Sequence, residues 1–210
     1  MASWQAQLDA GITHLKDSDV TLGAVIESAP PASLAPHTNY YQSLVESIIS
    51  QQLSVKAADT ILKRFIALFP GEFPNPEQIL AIDVETLRSV GLSRQKATYI
   101  QDLAAKVIDN TVKFEHLDTL TNDEVIAELI QVKGIGVWTI HMFLMFCMGR
   151  LDVLPTGDLG IKNGIKKLYS LEEAPTPEQM EALAIKNKWH PYESIASWYI
   201  WHSLDNKPVL

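Results

Sequence analysis

Apolar residues recur along the chain at helical spacing, and this pattern predicts a protein built of short helices. Apolar side chains three or four residues apart lie on one face of a helix. Three runs show the spacing: Leu44, Ile48 and Ile49; Ala57, Ile61, Phe65 and Leu68; and Tyr99, Leu103 and Val107. Alternating runs of β-branched and aromatic residues, which would indicate strands, are nearly missing. We therefore predict an all-α fold of about ten helices.

Residues typical of helix ends occur where the apolar pattern predicts that helices begin or end. Ser54 and Ser93 each precede a predicted helix, where a serine hydroxyl can accept from the free amides. Thr121 and Glu124 have the spacing of a capping box, and Thr176 precedes a proline at the first helical position. Proline and glycine predict loops at 30–31, 70–76, 134–136, 155–157 and 191.

Composition restricts the class of protein. The chain has 210 residues, 47 % of them apolar and 20 % charged, which is typical of a globular protein. Its single cysteine, Cys147, excludes a disulfide framework, a four-cysteine iron–sulfur cluster and a cysteine-rich zinc site. No secretory signal pattern opens the sequence, and the apolar run 142–148 is much shorter than the ~20 residues that span a bilayer. We expect a soluble, intracellular protein without a membrane partner.

The net charge of −8, from 17 basic and 25 acidic residues, argues against a polyanionic partner. The charge is unevenly distributed, however. Residues 129–170 contain five basic and two acidic side chains, a net of +3. A locally basic surface on an acidic protein can still bind phosphate.

The segment Leu-Ile-Gln-Val-Lys-Gly-Ile-Gly-Val-Trp-Thr at 129–139 predicts a helix end, a turn of about four residues with two glycines, and a new helix that begins at Val137. Gly134 and Gly136 allow a positive φ and leave the backbone amides unobstructed. Those amides lie at the start of a helix, where free N–H donors and the helix dipole favour an anion. A simple tight connection between helices has the same residues, so both interpretations stay open.

Asp158 and the segment 48–55 are two further candidates. Asp158 follows Pro155 and Gly157 and precedes a predicted helix, so it is either a helix cap or a functional carboxylate. In 48–55, adjacent glutamines interrupt an apolar helix and place Leu53 in a turn. A capped helix break with a buried leucine would have the same sequence.

Together these segments resemble the helix–hairpin–helix DNA glycosylase superfamily, and in particular its branch of 3-methyladenine DNA glycosylase II, the alkylbase glycosylases. The matching runs are Ile-Ile-Ser-Gln-Gln-Leu-Ser at 48–54, Lys-Gly-Ile-Gly-Val-Trp-Thr at 133–139, Leu-Pro-Thr-Gly-Asp-Leu-Gly at 154–160 and Pro-Tyr-Glu-Ser-Ile-Ala-Ser-Trp-Tyr-Ile-Trp at 191–201. The resemblance implies the compact, all-helical form, in which two helical lobes flank a DNA-binding cleft. Residues 36–150 would carry the wedge and the hairpin, and residues 1–35 with 151–210 the catalytic aspartate.

The resemblance also implies an activity. A monofunctional glycosylase flips an alkylated purine, such as 3-methyladenine or 7-methylguanine, out of double-stranded DNA and hydrolyses its N-glycosidic bond in base excision repair. Two alternatives stay open: the same scaffold with another damaged-purine preference, and a non-catalytic helix–hairpin–helix protein that binds lesions. We expect a monomer that requires no cofactor, in the cytoplasm at the nucleoid of a bacterium or in the nucleus of a eukaryote.

The functional positions of the family fall on four sets of residues in this sequence. Asp158 matches the catalytic aspartate. The DNA-binding set is the wedge at Leu53 or Ser54, its neighbours Gln51 and Gln52, and Lys133, Gly134, Gly136 and Thr139 of the hairpin. The base pocket is Trp138 and Trp201, with Tyr199 and Tyr40 as weaker matches, whereas Trp198 and Tyr41 are assigned to the core. The backbone carbonyls of Ile130, Val132 and Ile135 would bind a monovalent cation, K⁺ or Na⁺.

The sequence departs from related branches at two positions. Lyase relatives place a Schiff-base lysine four residues after the first hairpin glycine, and Trp138 stands there, so we expect hydrolysis without strand cleavage. The missing four-cysteine cluster likewise argues against the endonuclease III and adenine-mismatch branches. Glu193 stands where the family usually has arginine, which removes an expected ion pair or a charge near phosphate.

Overall fold

The computed structural model describes residues 3–204, and within them the regular elements are all helical. The α-helices are α1 (Trp4–Ser18), α2 (Val20–Ser28), α3 (Tyr40–Ser50), α4 (Val55–Ile66), α5 (Pro76–Ala81), α6 (Val84–Ser89), α7 (Arg94–Ile108), α8 (Asn122–Leu129), α9 (Val137–Met142), α10 (Leu159–Leu168), α11 (Pro177–Lys186) and α12 (Glu193–His202). A 3₁₀ helix covers Phe114–Thr119 and a π-helical segment covers Phe143–Cys147. The prediction of an all-α fold of short helices is confirmed. Within the described range, each helix is too short or too polar to cross a membrane.

The described residues form two compact units. The first unit consists of residues 3–36 together with 144–204 and contains α1, α2, α10, α11 and α12. The second unit consists of residues 37–143 and contains α3 to α9. The chain therefore leaves the first unit after α2 and returns to it through the π-helical segment.

The predicted helix caps are present. The hydroxyls of Ser54 and Ser93 accept hydrogen bonds from the amides three residues on, at 3.4 and 3.2 Å. Thr121 and Thr176 each form a complete capping box, and Pro177 is the first residue of α11. These helix starts are confirmed because a cap depends on residues three positions apart, which the sequence displays directly.

The second unit is organised around α7, which packs against α3, α5 and α6. Its buried face was predicted only in part. Leu103 is buried as predicted, whereas Tyr99 and Val107 are only partly buried. The rest of the buried face is Ala97, Ile100 and Ala104.

The first unit is organised around α12, in which every residue from Ser194 to Trp201 is buried. A helix that is apolar on all sides belongs in the interior. The approach of α10 is close enough that a Cβ atom on Gly164 would lie 2.4 Å from the Cγ2 atom of Ile200. The hydroxyl of Ser194 donates to the carbonyl of Arg150 at 2.7 Å and accepts from the amide of Val153 at 3.1 Å, which fixes the loop before α10.

Asp19 is a buried carboxylate that links three parts of the first unit. It is 2 % exposed and caps α2 by accepting from the amides of Thr21 and Leu22, both at 3.0 Å. Its other oxygen accepts from the indole of Trp189 at 2.8 Å and from the hydroxyl of Tyr169. Burial and then this hydrogen bond raise the pKa of Tyr169, so its hydroxyl remains a donor. Four groups therefore donate hydrogen bonds to this carboxylate, and such bonds stabilise a buried charge.

We expect Asp19→Ala to lower the free energy of unfolding by about 3–5 kcal/mol, because four donors, two of them on buried rings, lose their acceptor. Urea denaturation followed by circular dichroism measures this. Asp83→Ala is the matched control, because Asp83 caps α6 at the surface through the amide and hydroxyl of Thr86 alone. The role assigned to Asp19 is wrong if the two substitutions are equally destabilising.

Candidate functional site

Asp158 is the N-cap of α10, and its carboxylate is 8 % exposed. The oxygen Oδ1 accepts from the amide of Ile161 and from the indole Nε1 of Trp201, each at 2.8 Å. The interpretation of Asp158 as a helix cap is therefore correct, and its carboxylate accepts a second hydrogen bond, from Trp201. Both donors hold the carboxylate in one orientation, and a fixed orientation is what electrostatic catalysis requires of such a group.

Trp201 lies at the end of α12 and is 6 % exposed. Its ring stacks on Phe146, with centroids 6.0 Å apart and planes inclined by 28°. Because Phe146 fixes the ring and the ring donates to Asp158, Trp201 orients the carboxylate. Whether it also contacts a base stays a prediction.

Tyr199, also predicted to line the pocket, is a core residue of the first unit. It is 1 % exposed, its hydroxyl accepts from the amide of Ala32 at 3.2 Å, and its ring packs edge-on against Trp198. Burial raises the pKa of this hydroxyl. In this conformation the ring has no surface to offer to a base, because both its edge and its hydroxyl are covered by protein.

The turn between α3 and α4, residues 51–54, contains the predicted wedge. Leu53 is only partly buried, whereas Gln52 is exposed and has a φ of +57°. That left-handed conformation is rare for a residue with a side chain. The hydroxyl of Ser54 is engaged in capping α4, so Leu53 and Gln52 are the side chains that this turn presents.

The hairpin between α8 and α9 covers residues 130–136 and is longer than the predicted turn, whereas α9 begins at Val137 as predicted. Gly134 has a φ of +82°, and a Cβ atom there would lie 1.9 Å from the Cδ2 atom of Tyr99. Only glycine meets both conditions, the left-handed backbone and the contact with the ring.

Of the two properties predicted for Gly136, a positive φ and unobstructed amides, the structure has only the second. Its φ is −104°, an ordinary extended value, and a Cβ atom there would meet nothing within 4 Å. It stands at the N-cap of α9, where no side chain caps the first amides. The backbone does not need glycine here, so the missing side chain serves to keep the surface over these amides open.

The hairpin and the turn contact each other within the second unit. The side-chain amide of Gln51 donates to the carbonyl of Gly134 at 2.9 Å. The amide of Lys133 donates to Asp102 at 2.9 Å, and its ammonium lies 3.3 Å from the same carboxylate. Thr139 is 8 % exposed, so its hydroxyl is turned largely inward.

The three carbonyls predicted to bind a monovalent cation belong to hairpin residues with different environments. Ile130 caps the C-terminus of α8, where the helix dipole is negative. The carbonyl of Val132 accepts from the amide of Ile135 at 3.1 Å and keeps a second lone pair. Neutral carbonyl oxygens at a helix C-terminus suit K⁺ or Na⁺, so this donor set fits the predicted cation.

Trp138 and Tyr40, both predicted for the base pocket, differ in exposure. Trp138 is 49 % exposed at the second position of α9. Tyr40 is 8 % exposed, its hydroxyl donates to Asp118 at 2.6 Å, and its ring meets Phe143 edge-on. Trp138 therefore offers an aromatic surface, whereas Tyr40 stabilises the second unit.

Glu193 begins α12, and its side chain is 13 % exposed. Its Oε1 lies 3.0 Å from Nδ1 of His190. A carboxylate at the first position of a helix is favoured by the dipole. The replacement of arginine thus supplies a helix-end charge inside the first unit.

Lys96 and Asp102 were not singled out from the sequence, and Tyr99 was predicted only as part of an apolar helix face, although all three support the hairpin or the turn. They are three residues apart on α7, a spacing that puts them on one side of the helix. Polar residues at such spacing usually form a solvated surface, so the sequence contained no signal that distinguishes these three.

Comparison with known proteins shows which family this chain resembles. Residues 45–190 match the family model described as HhH-GPD superfamily base excision DNA repair protein. DNA-3-methyladenine glycosylase 1 of Schizosaccharomyces pombe is 38 % identical over 163 residues, covering 77 % of this chain and 71 % of the yeast protein.

Two solved structures share the fold. A DNA-3-methyladenine glycosidase from Bacillus halodurans superposes with a TM-score of 0.83 at 37 % identity, covering 92 % of this chain and 88 % of that one. The 3-methyladenine DNA glycosylase of S. pombe in complex with abasic DNA superposes with a TM-score of 0.74 at 32 % identity, covering 93 % and 97 %.

The two hairpin glycines should respond differently to alanine. Gly134→Ala combines a left-handed backbone with a clash against Tyr99, so we expect it to lower the free energy of unfolding by about 2–4 kcal/mol. Gly136→Ala meets neither obstacle and should leave it unchanged or raise it by up to about 1 kcal/mol. Thermal and urea denaturation of both variants measure the difference, and equal losses would contradict the distinction.

Proposed function

The chain belongs to the HhH-GPD superfamily of base excision DNA repair proteins, and we propose that it excises alkylated purines from double-stranded DNA as a monofunctional glycosylase. The observation that carries the proposal is the buried carboxylate of Asp158, oriented by the amide of Ile161 and the indole of Trp201. A protein that only binds lesions has no need of an oriented carboxylate. The DNA-3-methyladenine glycosylases described above support the choice of alkylated purines as substrate.

Asp158 would stabilise the sugar as the glycosidic bond breaks. The bond electrons leave with the base, so the sugar acquires oxocarbenium character. A carboxylate ~4 Å from that charge, at an effective dielectric constant of ~20, is worth roughly 4 kcal/mol. At 1.36 kcal/mol for each factor of ten, this corresponds to about a thousandfold in rate. Water then adds to the sugar, and the carboxylate can orient that water or accept its proton.

The leaving base needs little help from the protein. A purine alkylated at N3 or N7 already carries a positive charge, so it departs as a neutral molecule without prior protonation. A cationic base is attracted to an aromatic face. The exposed ring of Trp138 supplies such a face, which supports its assignment to the base pocket.

The hairpin would hold the DNA backbone. Over Gly136 the first amides of α9 are open, and such donors bind phosphate oxygens without reading sequence. A cation on the carbonyls of Ile130, Val132 and Ile135 would supply positive charge beside that phosphate. Because Gly136→Ala should leave the fold intact, its effect on affinity for undamaged duplex reports on phosphate binding apart from folding.

Leu53 and Gln52 of the turn would fill the space that the flipped base leaves. An apolar side chain inserted between base steps offsets part of the loss of stacking. The exposed amide of Gln52 can donate to and accept from the unpaired base on the opposite strand.

We expect Asp158→Asn to retain DNA binding and to lose about two to three decades of single-turnover excision rate, because the amide can still cap α10 but has no charge. The assay measures bases released from methylated DNA by chromatography. Asp83→Asn, a surface N-cap of α6, is the control and should excise at the normal rate. If Asp158→Asn loses stability but keeps its rate, Asp158 is a cap only.

We also expect no covalent adduct when borohydride is added during the reaction, and strand breaks only after alkali. An imine with the sugar requires an amine at the Schiff-base position, which is Trp138 in this chain. A trapped adduct that disappears on mutation of Lys133, Lys162 or Lys166 would show that the protein is a lyase.

A further inference from the structure

The turn and the hairpin are both attached to α7. The ammonium of Lys96 donates to the carbonyls of Ile49 at 2.8 Å and Gln51 at 2.6 Å. These carbonyls end α3, where helical partners run out. Burial lowers the pKa of Lys96, which reflects how far its ammonium is enclosed by the end of α3. Lys96 thereby fixes the first residue of the turn.

Tyr99 and Asp102, which follow Lys96 on the same side of α7, hold the hairpin. The ring of Tyr99 lies against Gly134, so closely that no Cβ atom fits between them. Asp102 accepts the amide of Lys133 and pairs with its ammonium. Gln95 in turn donates to the hydroxyl of Tyr99, which orients the ring. The hairpin is therefore held against α7 by two of its side chains.

One bond joins the two loops directly. The side-chain amide of Gln51 donates to the carbonyl of Gly134 at 2.9 Å, across 83 positions of sequence. The contact with Tyr99 and the positive φ leave Gly134 little freedom to move away from it. Any displacement of the turn therefore acts on the hairpin through this bond.

We propose that Gln51 is a positioning residue that couples the intercalating turn to the phosphate-binding hairpin, with Lys96, Tyr99 and Asp102 as its support. The proposal rests on the function proposed above, in which the hairpin holds the backbone and the turn enters the duplex. It assigns different tasks to two adjacent glutamines: Gln51 serves the hairpin, and the exposed Gln52 faces the DNA.

The coupling should strengthen when DNA binds. In the free protein the bond of Gln51 is exposed to water, which competes for both partners. A bound duplex would exclude that water, and a hydrogen bond in a medium of lower dielectric constant is stronger. Capture of a phosphate at the hairpin and entry of the turn would then favour each other.

The test replaces Gln51 by methionine, which keeps the length of the side chain and removes its donor. Gln101→Met is the matched control, because Gln101 also lies on the second unit and also donates its amide to a backbone carbonyl, that of Ile82 at 2.7 Å. Three measurements are compared: amide hydrogen exchange in the free protein at 131–136, affinity for undamaged duplex, and affinity for abasic duplexes with each of the four opposite bases.

For Gln51→Met we expect hairpin exchange to rise about threefold to tenfold, as the loss of one hydrogen bond implies. Affinity for undamaged duplex should fall by a similar factor, and the loss on abasic duplexes should be the same for every opposite base. Gln101→Met should leave hairpin exchange and both affinities unchanged, whatever its effect on the melting temperature. The proposal is overturned if exchange at 131–136 stays at the wild-type rate. It is equally overturned if the affinity loss appears only opposite particular bases, because Gln51 would then read the opposite strand.

These outcomes are separable from those of the proposed function. The exchange measurement uses no DNA and no reaction, so it decides the link between Gln51 and the hairpin whatever the activity. A wild-type protein that releases no base from methylated DNA would refute the glycosylase assignment. Changed exchange in Gln51→Met would in that case still establish the link.

Discussion

Short helices leave many ends to be satisfied, and this requirement organises the whole structure. Each helix begins with amides and ends with carbonyls that have no partner inside it. In the described part of the chain, side-chain oxygens cap nine of the twelve α-helices, through Ser3, Asp19, Ser54, Asn75, Asp83, Ser93, Thr121, Asp158 and Thr176. Two of these caps, Asp19 and Asp158, have become centres of larger hydrogen-bond networks, because a carboxylate accepts more bonds than a single helix start requires. In α9 the end is left open at Gly136, which fits a helix start that meets a ligand instead of a side chain.

The features predicted correctly from the sequence are those determined by neighbouring residues. The helix starts at Ser54 and Thr121 depend on residues only a few positions apart. The same holds for the start of α9 and the cap at Asp158. The family was recognised because four such local motifs occur in a fixed order. The buried face of α7 was predicted only in part, because the spacing of apolar residues does not show which of them the neighbouring helices cover.

The remaining features depend on partners far apart in the sequence, which periodicity cannot show. Asp19 and Asp158 have similar local contexts, yet their indole partners are 170 and 43 positions away. The two hairpin glycines look equivalent in the motif, but only Gly134 has a positive φ and only Gly134 packs against Tyr99 of another helix. Gln51 and Gln52 are likewise adjacent in the sequence, and what distinguishes them is the hydrogen bond that the side-chain amide of Gln51 donates to the distant carbonyl of Gly134.

The ion pair of Lys133 with Asp102 bears on how quickly such a protein meets DNA. Lys133 is the one basic side chain of residues 130–136, and a carboxylate already lies 3.3 Å from its ammonium. Electrostatic steering accelerates association when opposite charges attract at long range, and this chain carries a net −8. Long-range attraction by the hairpin is therefore weak, and the net negative charge opposes the approach of a duplex. Affinity for DNA then depends on the short-range contacts that form once the two surfaces meet, such as those of uncapped backbone amides.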